Sequence, residues 1–427
     1  MSRRKFSLLL WSALAAFALP GTGVGQSQTA SENRAAGAPE GRISGIAEVS
    51  GATPKPDQAG AAVNDLIAHW WVGDASTGHI MPTHGGCETP GRGVIWERAM
   101  MICALEGLSE NGGDSDLKTR IGAQWQYDKA RYKRAELQAC GAGTINPWCD
   151  DACWSLLYYV IVLQQTGDAE ALDDAKGLMR KIYDRWHDDQ LGGGLWYNDE
   201  RKVKSLYGAA FAYAGLALYE ASGDSTYRDL AMAEYDWIER HLKRPDNLYW
   251  CEASAGLPAD PRRPPGPIGQ DRPRQIHEAS SVSYLGGNMA MGACHGFLYQ
   301  LTGSDPYRQA ALRTATALRE NAVDGAGRYI NDRDAYTNGV FGSIWARRVL
   351  SLPGSDPRDR AILRATADAI VAARTTASYA PAYGPPGAGF YPADWNGGSV
   401  WENKGSLANM LHVSASSVGI VVGAAYR

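Results

Sequence analysis

Three segments of the chain share one plan: VLQQTGDAEALDDAKGLM, ALYEASGDSTYRDLAMAE and FLYQLTGSDPYRQAALRT. In each, an apolar helical pattern ends at a glycine, an aspartate follows, and a second helical pattern runs on. Glycine accepts the left-handed conformation that closes a helix C-terminus, and aspartate accepts hydrogen bonds from the free amides that open the next helix. Weaker copies occur at LEGLSENGGDSDLKTR and VLSLPGSDPRDRAILR. The glycines concerned, Gly113, Gly167, Gly223, Gly303 and Gly354, are mostly 51 to 56 residues apart, and the one long interval holds a proline-rich insert, PADPRRPPGPIGQDRPR. One helical hairpin per copy, with room for a sixth, predicts an all-α fold: a closed toroid of six hairpins, the (α/α)6 barrel. An open helical solenoid is the alternative.

Helical spacing of apolar residues is read over 61–71, 94–108, 117–134, 152–165, 169–186, 206–222, 226–242, 288–301, 306–320 and 358–373, and alternating strand patterns are scarce. These place a single catalytic domain over 59–427. Residues 26–58, rich in Ala, Gly, Ser and Pro, read as a flexible leader. Before it stand Arg3-Arg4-Lys5, a short apolar run over 7–19 and small residues at Gly23-Val24-Gly25. That order is a signal peptide over 1–25, of the general or the twin-arginine kind, so the mature protein is expected to be periplasmic or secreted. No other apolar run is long enough for a transmembrane span. The formal net charge of −4 is mild for this length and suggests neither a nucleic-acid nor a membrane partner. The chain is expected to act as a monomer. Seven cysteines form no paired C-x-x-C set, so no zinc site or other metal is expected, and no cofactor; their odd number leaves at least one thiol unpaired within a monomer.

The segment WCDDACW, residues 148–154, sets Asp150 and Asp151 side by side between two cysteines and two tryptophans, where a loop enters an inner helix of the barrel. Amides of a first helical turn stabilise negative charge. Two close carboxylates cannot both ionise freely, so one keeps its proton to higher pH. The result is one general acid and one nucleophile or base, which glycosidic cleavage requires. A plain solvated helix start is the alternative. The pairs Asp173-Asp174 and Asp188-Asp189 lack the aromatic flank and read as surface or loop pairs. A magnesium site is disfavoured because Trp154 stands where a third acid would be needed.

Around these residues the sequence resembles glycoside hydrolase family 76, the endo-α-1,6-mannanases. The resemblance rests on the aromatic-D-D-x-x-W segment over 148–154, the T-G-D end at Thr166-Gly167-Asp168, and Gly193-Gly194-Leu195-Trp196-Tyr197 for the family's G-G-hydrophobic-W-W segment. Leu218-Tyr219 and Leu298-Tyr299 fall before later outer helices as the family's L-Y pairs do. It spans roughly residues 60–425. It implies an (α/α)6 barrel and a retaining mechanism, with Asp150 as nucleophile and Asp151 as acid/base, acting on α-1,6-mannan or a related α-linked polysaccharide or oligosaccharide. The chain departs from the family at Ser283-Tyr284-Leu285-Gly286-Gly287-Asn288, where members show Y-N-Q-G, and at Val203-Lys204-Ser205, where they tend to place Asn.

Fourteen tryptophans and 21 tyrosines against 6 phenylalanines favour rings with a polar tip, which suit amphipathic ligands such as sugars. Trp148, Trp196, Tyr197, Tyr207, Tyr284 and Asn288 are the expected substrate contacts. Trp395 and Trp401 are further rim candidates, and His277-Glu278 could reach the cleft. His79, His84 and Cys87 lack a compact ligand spacing. Arg262, Arg263, Arg272 and Arg274 sit in the proline-rich insert, as a solvated loop or as contacts to an acidic polysaccharide. Two rival functions follow: a non-catalytic glycan-binding protein, and a polysaccharide lyase or unsaturated-uronide hydrolase on the same barrel.

Overall fold

The structure is a computed structural model that describes residues 56–80, 94–112, 115–131, 148–254, 285–330, 339–374, 391 and 410–426. All of them belong to one compact unit, Glu48–Arg427. The signal peptide and most of the leader read from the sequence lie outside the described residues. The first helix nevertheless opens at Pro56, inside the stretch read as leader.

Twelve helices follow one another among the described residues: α1 (Pro56–Trp70), α2 (Val94–Glu110), α3 (Asp116–Arg131), α4 (Cys149–Thr166), α5 (Ala169–Trp186), α6 (Gly208–Ser222), α7 (Ser225–His241), α8 (Leu285–Thr302), α9 (Asp305–Asn321), α10 (Gly342–Trp345, continued as a π-turn over Ala346–Leu350), α11 (Pro357–Ala372) and α12 (Met410–Ala425). The even-numbered helices pack in a closed ring, α2 on α4, α4 on α6, α6 on α8, α8 on α10, α10 on α12 and α12 back on α2. The odd-numbered helices lie outside them. This is the (α/α)6 barrel, and ring closure excludes the solenoid.

The two layers bury different patterns. Outer α5 buries Ala171, Asp174, Ala175, Leu178, Met179, Ile182 and Trp186, one stripe at helical spacing. Inner α6 buries every residue from Gly208 to Leu218, being enclosed by outer helices on one side and the lumen on the other. The lumen is filled by rings: Phe341 packs on Trp154 and Tyr213, and Tyr213 on Phe297. An Arg347–Glu106 ion pair joins α10 to α2.

The hairpin grammar read from the sequence holds in most copies. Gly167, Gly223 and Gly303 close inner helices at φ 68°, 68° and 67°. Asp168, Asp224 and Asp356 cap the following outer helices, with Asp168 Oδ1 accepting from the Glu170 amide at 2.8 Å. The third copy differs. Ser304 holds the cap position without a side-chain bond, and Asp305 lies inside the helix, bound to Arg308. Helix α10 entered the sequence reading only as the helix end implied by the weaker copy VLSLPGSDPRDRAILR, and α12 had no counterpart there. The latter, MLHVSASSVGIVVGAA, is poor in strong helix formers, but its glycines let backbones meet: a Cβ on Gly419 would stand 2.3 Å from the Gly339 carbonyl oxygen, and one on Gly423 2.4 Å from that of Gly342.

Four short strands complete the described fold, β1 (Trp71–Val72) with β2 (His79–Ile80), and β3 (Val203–Ser205) with β4 (Glu252–Ser254), both pairs antiparallel. No helix among the described residues is long and apolar enough to cross a membrane.

Candidate active site

Helix α4 begins at Cys149, three residues earlier than the apolar spacing alone suggests, so Asp150 and Asp151 both fall in its first turn. The start is fixed from outside the helix. Trp148 is extended, with φ −100° and ψ 121°, and its side chain makes no cap bond. Its backbone instead bridges to Asn198, and the Cys149 amide donates to the Tyr197 carbonyl at 2.9 Å. The Tyr197 amide donates in turn to the Val203 carbonyl at 2.8 Å. A ladder of extended segments, 148, 196–198, β3 and β4, thus lies where the outer helices turn into the inner ones, and it holds the Asp-Asp turn in place.

Asp150 Oδ1 is sealed from solvent and has no hydrogen-bond partner among the described residues. Burial, then the Asp151 charge, pushes the Asp150 carboxyl up to about 8; the amides of Asp151 and Asp150 and a hydrogen bond from Tyr197 pull the other way. The magnitudes decide the outcome. A helix N-terminus stabilises a carboxylate by roughly 0.3–1 kcal/mol, whereas a rise from 3.8 to about 8 corresponds to something on the order of 5 kcal/mol. Desolvation outweighs the helix terminus, and the Asp150 carboxyl stands well above the usual carboxylate range.

Three of the expected sugar-contact rings are assembled beside this pair. Trp148 is 41% exposed and meets Tyr197 edge-on at 5.2 Å, while Tyr197 stacks on Tyr207 at 5.6 Å with 28° between the planes. A narrow crevice is lined by Cys149, Asp150, Cys153, Trp196, Tyr197 and Tyr207, among others. Cys149 and Cys153 are buried on one face of α4 as free thiols, with Sγ atoms 3.9 Å apart in a weak S–H···S hydrogen bond.

Two expected contacts are placed elsewhere. Trp196 is fully buried, its Nε1 donating to Asp188 Oδ2 at 2.7 Å, so its face is not available for stacking; it forms the wall behind the crevice. Asn288 is buried too, its Oδ1 accepting from the Tyr249 amide at 2.9 Å, which commits it to holding the turn after α7. Alternation within a glycine-flanked run does not reveal which ring faces inward. Tyr284 lies outside the described residues, as do His277, Glu278, His84, Cys87, Trp395, Trp401 and the four arginines of the insert. His79 stacks flat on Tyr127 at 3.8 Å, and no group of three metal-type ligands occurs among the described residues.

Other residues gained a role that the sequence reading denied them. Asp188, in the loop after α5, is tied into the structure: it accepts from Trp196, Lys204 and Arg201, and although desolvation raises its carboxyl, the Trp196 and Lys204 hydrogen bonds, the Lys204 charge and the Gln190 amide hold it below the usual range. Asp174 is fully buried between helices rather than solvated. Glu234, on α7, sits behind the site with Oε2 accepting from the Leu195 amide at 2.8 Å, and burial pushes its carboxyl up to about 8. Lys204, whose side chain is wholly buried, packs under the glycine loop. The available signal was Lys204 set between Val203 and Leu206, a short strand-like segment shortly after GGGLWY; a charge buried there must find partners.

Fold and paired acids define a glycoside-hydrolase barrel, and the comparisons agree. The family model described as "Glycosyl hydrolase family 76" matches residues 56–384, so the chain belongs to that family. Among solved structures it is similar to the GH76A alpha-1,6-mannanase from Salegentibacter sp. HEL1_6, with TM-score 0.63 and 17% identity over 87% of this chain and 98% of that one. It is similar to the family 76 mannosidase Bt3792 from Bacteroides thetaiotaomicron, with TM-score 0.60 and 16% identity over 86% of this chain and 98% of that one. It also resembles Dfg5 from Chaetomium thermophilum, solved with glucosamine, with TM-score 0.56 and 14% identity over 86% of this chain and 90% of that one. No curated protein sequence matches it.

Proposed function

We propose that the protein is a retaining endo-glycosidase that hydrolyses α-linked mannan, α-1,6-mannan first among candidates. The observation that carries this reading is the half-buried Asp150–Asp151 turn beside the Trp148–Tyr197–Tyr207 rings. Support comes from the Salegentibacter enzyme, of which an inactive variant with two adjacent aspartates replaced by asparagine was solved in complex with alpha-1,6-mannotriose.

In the proposed mechanism the two carboxyls share one proton. Burial and the neighbouring Asp151 charge favour the protonated form of Asp150 in the resting protein. For Asp150 to act as nucleophile, the role the family resemblance gives it, that proton moves to Asp151 as substrate enters. Asp150 then attacks the anomeric carbon while Asp151 protonates the departing oxygen. A water deprotonated by Asp151 cleaves the glycosyl ester, which restores Asp150 and returns the proton to the pair. Either carboxyl is useless without the other's proton state, so activity belongs to the singly protonated pair.

The test is release of reducing ends from α-1,6-mannan and other α-linked glycans by wild type, Asp150→Asn and Asp151→Asn. Cleavage by wild type that either substitution abolishes supports the reading. Binding without cleavage, equal in all three, would support the glycan-binding alternative. We also propose export from the cytoplasm, checked by the N-terminal sequence of protein recovered from the periplasm or medium.

A further inference from the structure

The three-glycine loop before Trp196 curls around an ammonium group. Lys204 Nζ lies 2.7 Å from the Gln190 carbonyl oxygen, 2.5 Å from that of Gly193, 3.0 Å from that of Gly194 and 3.3 Å from that of Asp188, with Asp188 Oδ1 at 3.1 Å. The side chain has no exposed surface, and Nζ stands 4.6 Å from the Trp196 ring centroid. Five oxygens around one buried cation exceed the three N–H donors an ammonium possesses. The arrangement resembles the oxygen cage of a bound inorganic cation, converging on a point rather than on directed bonds.

The loop needs such a centre. Gly192, Gly193 and Gly194 have φ of 77°, 104° and 80°, and Leu191 has φ 55°. This backbone forms no regular ladder of its own, and four of its carbonyls converge instead on the Lys204 ammonium. The strand that follows carries Tyr197, whose backbone fastens the start of α4 and whose side chain lines the same crevice as Asp150.

We propose that Lys204 is a positioning residue that serves as a built-in cation: its ammonium fills an oxygen cage in the 188–194 loop and thereby holds Tyr197 against Asp150. The catalytic half of this inference rests on the paired-carboxylate reading above; the cage half does not. In Lys204→Ala the cage loses its centre but keeps its oxygens. A small cation, namely ammonium or propylammonium, then refills it.

Two measurements on the full chain test this. The first is melting temperature in ammonium, propylammonium and tetramethylammonium chloride at equal ionic strength. Lys204→Ala is expected to melt lower than wild type and to recover in the first two salts but not in the third, which has no N–H donor, while wild type shows no such discrimination. The second is kinetics on the mannan substrate. Lys204→Ala is expected to lose ~100-fold in kcat with little change in KM, as a displaced catalytic group does, and to regain at least ~10-fold in propylammonium. Unchanged kcat would overturn the positioning role. Melting that ignores the amines would overturn the cage, as would an alanine variant that fails to fold even in their presence. Lys204→Met separates filling from charge: it restores bulk only, so recovery of wild-type melting by this variant would also sink the proposal. Should wild type cleave no glycan, the glycosidase reading fails, and the amine-dependent melting still judges the cage.

Discussion

Two turns at the same end of the barrel solve one problem differently. Between α9 and α10, Val323 bridges to Tyr329; between α5 and α6, His187 bridges to Leu195. Each turn returns the chain through an amide bonded to a carbonyl at the end of the outer helix, Ile330 to Ala322 at 2.8 Å and Trp196 to Trp186 at 2.9 Å. The first turn is satisfied mostly from within, and only its Tyr329 amide reaches outside, to a neutral hydroxyl, Thr366 Oγ1, at 2.9 Å. Asp324 accepts from the amides of Ala326 and Arg328 and pairs with the Arg328 guanidinium, and a substituent at Gly327 would meet only open space. The second turn is satisfied from elsewhere, by Lys204 of the next strand and Glu234 of α7. A turn that satisfies itself can vary without consequence beyond it. One held by distant charges transmits its shape, and here that shape reaches Asp150.

The largest expected effect lies at the site the second turn supports. Asp150→Asn and Asp151→Asn should each lower mannan cleavage by at least ~1000-fold, since general acid–base and nucleophilic roles are lost together. A steady-state assay of reducing ends reads this, and a loss under ~10-fold for either would detach the turn from any catalytic purpose.

Next comes the pH dependence of stability. The Glu234 carboxyl rises from 4.5 to about 8 on folding, so between these values the native state binds a proton that the unfolded state has released. Stability from this group is therefore fullest below pH 4.5 and is lost as pH rises towards 8, on the order of 4 kcal/mol in all. Glu234→Gln should flatten this slope relative to wild type in denaturant titrations at pH 5 and pH 8. Parallel slopes for the two proteins would mean that Glu234 stays charged in its pocket.

Glycine substitutions compare the turns directly. A Cβ on Gly194 would stand 2.3 Å from the Trp237 ring at φ 80°, whereas Gly327 has φ 76° and nothing near it. Gly194→Ala should cost about 3 kcal/mol or more and Gly327→Ala about 1 kcal/mol, the strain of a left-handed alanine alone. Calorimetry of both, with equal losses, would erase the distinction drawn between the turns. Smallest of all, Asp324→Ala should cost about 1 kcal/mol and leave kcat within twofold of wild type, measurable by melting and by the same reducing-end assay.

Much of this was readable in one dimension. The Gly-Asp hairpins gave five of the six pairs and their order because caps are local: Gly167 and Asp168 meet their partners within four residues. WCDDACW was conspicuous because adjacent carboxylates in an apolar flank contradict solvation. Helix α12 was missed because its glycines answer to backbones far away in sequence, and Trp196 was assigned to the wrong face because strand direction beside Gly192–Gly194 is set by β3. Asp188 was dismissed because its partners, Lys204 and Trp196, become neighbours only on folding.

The sequence by itself determined the helical hairpins, their glycine and aspartate punctuation, the family and the acidic pair, all of which follow from contacts within a turn or two. The tertiary structure alone decided which aromatic rings face outward, that the Asp150–Asp151 turn is half-buried rather than a solvated helix start, and that Lys204 and Glu234 stand behind it. The physical reason is that dehydration, which raises the Asp150 and Glu234 carboxyls and makes a buried ammonium bind carbonyls, belongs to no single segment. It arises when separate helices close around the same charge.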